Sequence, residues 1–138
     1  MIKTKLIDIP IYNQKLMLVD CNSPKELRKL FKGTGYDARN EKKKEHDIYA
    51  DTISSSIKVK GEYFFCIYVV LNSRNSLSGI DVGTLAHECT HVMQFIYKLI
   101  GESFSDGEIL EHDAYFMGYL VNELCKFMNV KTKIKPRN

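Results

Sequence analysis

His87-Glu88-Cys89-Thr90-His91 is the segment of this chain whose residue types and spacing could do chemistry. Residues four apart are neighbours on one helix face. Two imidazoles at that spacing can hold one Zn²⁺ at about 2.0–2.1 Å each. Glu88 falls about 100° round a helix from His87 and about 60° from His91. There it can lean over the metal without ligating it and take a proton from a metal-activated water. Cys89 points the other way, about 200° from His87, and reads as a buried core group. Three protein ligands make an open, catalytic zinc site. Glu111, twenty residues after His91, is the leading third ligand, with Asp113, His112 and Glu108 as rivals.

These side chains need two helices to present them. The first is expected from Asp81 to Ile100, with Gly101 as its stop. Leu85, Cys89, Val92, Met93, Ile96 and Ile100 share one face of it, while His87, His91, Gln94 and Lys98 share the opposite one. The second helix is expected over 107–129, with Phe116, Leu120, Leu124 and Phe127 as its apolar stripe and Glu111 off that stripe. The polar link 102–106 reverses the chain, and a carboxylate off one stripe would then meet two histidines off the other.

Upstream lie elements with other periods. Residues 3–11 and 15–20 are rich in Ile, Leu and Val and read as a strand hairpin. Ser23 and Pro24 supply an N-cap and first turn for a short helix carrying Leu27, Leu30 and Phe31, which Gly33 ends. Residues 33–47 are polar and read as a long exposed loop, residues 48–59 as a half-exposed strand suited to a sheet edge. After the turn Lys60-Gly61-Glu62, residues 63–72 read as a strand buried on both faces. The fold class is α+β: a mostly antiparallel sheet, one upstream helix, and a C-terminal pair of long helices carrying the metal site.

Composition narrows the setting. The 138 residues suit one domain spanning 1–138, with a basic tail from about 130 to 138. Hydrophobic residues at 44% are enough for a core. A net charge of +3 is too mild to call for a nucleic-acid partner. The longest apolar run, Tyr63 to Leu71, is too short to cross a membrane as a helix. The first residues lack the pattern of a signal peptide. Four cysteines without a C-x-x-C pair read as thiols in a reducing compartment, which points to the cytoplasm.

The stretch Leu85-Ala86-His87-Glu88-Cys89-Thr90-His91, with Glu111-His112-Asp113-Ala114-Tyr115, resembles the gluzincin branch of zinc metallopeptidases. The small size and layout are similar to minimal zincins of phages and bacteria. That resemblance implies His87, His91 and Glu111 as zinc ligands and Glu88 as general base, acting on a peptide or protein substrate. It also implies a strand edge on which that substrate would lie. The chain departs from the larger enzymes in two ways. Tyr115 stands where they place an Asp that orients a zinc histidine, and no His and Tyr follow the second helix to stabilise an oxyanion. Tyr115, Asp113 and His112 are the nearby groups that could serve instead, with His46, Tyr49 and Arg74 upstream. The leading expectation is therefore a zinc metallopeptidase. The alternative is a zincin-fold protein that keeps metal with weak turnover and acts by binding a partner protein, for instance as a phage accessory or anti-defence factor. A purely structural zinc domain fits less well, since structural sites are closed and thiolate-rich.

Overall fold

The structure is a computed structural model that describes residues 2–9, 12–34, 50–72, 81–101 and 111–130, with Glu111 described by its backbone alone. Strands β1 (Ile2–Ile9) and β2 (Gln14–Cys21) form the expected antiparallel hairpin. Asn13, at φ 49°, turns the chain, and its N–H donates to the Ile9 carbonyl at 3.0 Å. Helix α1 (Pro24–Phe31) starts where the sequence places it, with the Ser23 hydroxyl accepting from the Glu26 N–H at 3.3 Å.

β3 (Ala50–Val59) and β4 (Glu62–Leu71) form a second antiparallel hairpin. Lys60 and Gly61 both take positive φ at its tip, the conformation a two-residue hairpin turn requires. β4 then pairs parallel with β2, giving one four-stranded sheet of order β1-β2-β4-β3. Two of its three pairings are antiparallel. β3 is an edge strand, as its Ser-rich, half-exposed sequence suggests.

Helices α2 (Val82–Ile100) and α3 (Glu111–Met128) cover one face of this sheet, and α1 covers the other. The larger core joins Leu16, Leu18, Ile67, Val69 and Leu71 to Leu85, Val92, Ile96, Leu120 and Leu124. Burying each such side chain contributes about 1.5–3 kcal/mol. The smaller core sets Leu27 and Phe31 of α1 against Tyr68, Val70 and Ile53, with the Phe31 and Tyr68 rings 4.7 Å apart.

α2 is capped at both ends. Asp81 accepts from the Thr84 N–H at 2.8 Å, and Gly101, at φ 75°, closes the helix by donating to the Tyr97 carbonyl. The Thr84 amide holds the Asp81 carboxyl below the usual carboxylate range.

Two details differ from the sequence expectation. β4 is buried on both faces only from Cys66 to Leu71; Tyr63, Phe64 and Phe65 are exposed, because β2 pairs with β4 only from Cys66 onward. On α2 the last residue of the apolar stripe, Ile100, is exposed, and Tyr97 is buried in its place. Tyr97 faces α3, where its hydroxyl finds a carboxylate partner in Asp113. No helix among the described residues is long and apolar enough to cross a membrane. Most of the polar loop 33–47, the loop 73–79, the link 102–106 and the tail 131–138 lie outside the described residues.

Candidate metal centre

α2 puts His87 and His91 on its outer face and turns their rings toward each other. The two Nε2 atoms stand 3.1 Å apart, with the rings edge to face at 4.8 Å between centroids. Two nitrogens bound to one tetrahedral zinc stand about 3.3 Å apart, given bonds of 2.0–2.1 Å. The separation of the pair is thus close to that of two ligands on one such ion. His91 is further held by Gln94, whose Oε1 lies 3.1 Å from His91 Nδ1.

Glu88 lies beside the pair but points inward. It is 4% exposed, a rare state for a carboxylate. The Thr52 hydroxyl of β3 donates to its Oε2. Among the described residues Thr52 is the one side chain that binds this carboxylate. Thr52 alternates along β3 with residues of the other face: it stands opposite Val69, whose side chain belongs to the α2–α3 core. The Ser/Thr pattern of 48–59 marks an edge strand, but nothing local in the sequence picks out Thr52. Its role comes from sheet order, which places β3 beside α2.

The expected partners on α3 are elsewhere. Asp113 is buried and accepts from the Tyr97 hydroxyl, and its Oδ1 lies 3.0 Å from His112 Nε2. Tyr97 is six residues beyond His91, about 9 Å along α2 and about 120° round it. Neither Asp113 nor His112 therefore meets the histidine pair. Tyr115 is 75% exposed.

Glu111 begins α3, and its side chain lies outside the described residues. The helix pairing still bears on it. Tyr97, near the end of α2, packs against Phe116 near the start of α3, with ring centroids 6.4 Å apart. Cys89, two turns earlier on α2, neighbours Cys125, late in α3; burial pushes the Cys89 thiol up to about 12, and Cys125 and Glu88 add to the effect. The helices thus run antiparallel, and the Glu111 backbone is level with the far end of α2. Both helices turn their apolar stripes to one sheet, so their polar faces both point away from it and not into each other. Among the described residues no three His, Cys, Asp or Glu side chains gather at a metal-binding geometry. Glu108, His46, Tyr49 and Arg74 lie outside those residues.

No family model, curated protein or solved structure matches this chain.

Proposed function

We propose that this chain is a small zincin-like zinc metallopeptidase, working inside the cell on peptide or protein substrates. One observation carries the reading: two imidazole Nε2 atoms converge at 3.1 Å on an exposed helix face, next to a buried glutamate tied to the sheet edge. His87 and His91 are the ligands this proposal keeps; Glu111 is not retained, for the reasons of helix register given above. Zinc held there supplies Lewis acidity, which lowers the pKa of a water toward neutrality and polarises a carbonyl.

The chain's own residues do the rest. Glu88 takes the proton of the attacking water and returns it to the leaving amine. Thr52 fixes that carboxylate through Oε2, and Oε1 is the oxygen that would carry the proton. β3 offers an extended peptide its outer backbone edge, adjacent to Glu88 because Thr52 belongs to the same strand. Four free cysteines suit a reducing compartment.

A second reading has an observation of its own. Tyr115 stands in solvent, and the described residues bring no third ligand to the histidines. That favours a metal-binding protein with weak turnover that acts by docking a partner. A proteomic cleavage screen of wild type against Glu88→Gln, with zinc content measured on both, separates the two. Glu88-dependent cleavage supports the peptidase; zinc without cleavage supports the docking protein.

A further inference from the structure

We propose that Gln94 is a positioning residue that fixes the tautomer of His91. A neutral imidazole donates from one nitrogen and accepts at the other. The contact between His87 Nε2 and His91 Nε2 needs one donor and one acceptor, and by itself it does not select which ring donates. Gln94 breaks that symmetry. It lies three residues after His91, on the same helix face. Its carbonyl oxygen Oε1, an acceptor, stands 3.1 Å from His91 Nδ1. His91 Nδ1–H therefore donates to Gln94, and His91 Nε2 is left bare, aimed at His87. The proton between the two rings belongs to His87.

This gives His91 the form a metal ligand needs before any ion arrives: an unprotonated Nε2, with the other nitrogen engaged by an oxygen. Such outer partners orient the ring and raise the basicity of the bound nitrogen. The use of that nitrogen as a ligand rests on the metal reading above; the tautomer does not. Gln94 is exposed, so replacing it leaves the core untouched.

The test uses the metal-free full chain and three proteins: wild type, Gln94→Met and Gln94→Glu. Methionine keeps length and neutrality but accepts weakly; glutamate can only accept. Long-range ¹H–¹⁵N correlation of the histidine rings reports which nitrogen carries the proton. Wild type and Gln94→Glu should show His91 protonated at Nδ1, and Gln94→Met should shift the proton toward Nε2. Zinc affinity, read by competition with a chelating dye, should fall about 10–100-fold in Gln94→Met and recover in Gln94→Glu. A wild-type His91 protonated at Nε2, or a Gln94→Met ring unchanged in tautomer, overturns the inference. If the tautomers behave as stated but none of the three proteins binds zinc, the inference stands and the metallopeptidase reading falls.

Discussion

Replacing Thr52 with valine probes the joint between the edge strand and the glutamate. Valine keeps the shape and removes one hydroxyl. In the folded protein that hydroxyl donates to Oε2 of a carboxylate that is 4% exposed. A hydrogen bond to a charged group contributes about 1.5–3 kcal/mol, and a buried acceptor left without a partner costs a similar amount in desolvation. Thr52→Val should therefore destabilise the fold by about 2 kcal/mol. For a chain of this length that corresponds to a drop in Tm of about 6 °C. Denaturant unfolding followed by circular dichroism reads it directly. A double-mutant cycle assigns it: in a Glu88→Leu background the carboxylate is gone, and Thr52→Val should cost less than about 0.5 kcal/mol. If Thr52→Val costs the same in both backgrounds, the hydroxyl acts on something other than Glu88, and the account of how the base is held is wrong.

Further changes probe other parts of the structure. Cys89→Ala trims a fully buried side chain and should cost about 1 kcal/mol while leaving zinc affinity unchanged, as measured by unfolding and dye competition. Glu111→Ala should leave zinc affinity within about twofold of wild type, by the roughly two turns of α2 that separate its backbone from His91; a steep loss would restore it as a ligand. Burial pushes the Cys66 and Cys89 thiols up to about 12, so the folded protein disfavours both thiolates. Both should resist a thiol-reactive dye at pH 8. Their contribution to stability is complete below the unfolded value of about 8.5 and is lost as pH rises toward 12, so alkaline titration should lower Tm across that window. Gly101→Ala forces a side chain into left-handed backbone at φ 75° and should cost about 1 kcal/mol, read by thermal unfolding.

Local chemistry was legible in the sequence because local rules govern it. Ser23 and Pro24 mark the start of α1, Gly101 the end of α2, and Lys60-Gly61 the second hairpin turn, each through φ preference or a capping side chain. The placement of His87 and His91 on the outer face of α2 follows from the 3.6-residue period alone. Relations between elements were harder to read. Strand order brings β3 beside α2 and so gives Glu88 its Thr52 partner, and no spacing within either segment encodes that order. The Glu111 reading belongs to the same level: it rested on two polar helix faces meeting. Helices laid side by side on a sheet bring together their flanks, and there Tyr97 found Asp113.

Zinc content per chain tests the central claim most directly. Wild type, Glu88→Gln, His87→Ala and His91→Ala would be equilibrated with zinc, dialysed, and measured by elemental analysis beside circular dichroism spectra that establish folding. The account predicts one zinc per folded chain in wild type and in Glu88→Gln, and a loss of that ion in both histidine variants. A folded wild type that retains no zinc, or histidine variants that retain it fully, would contradict it.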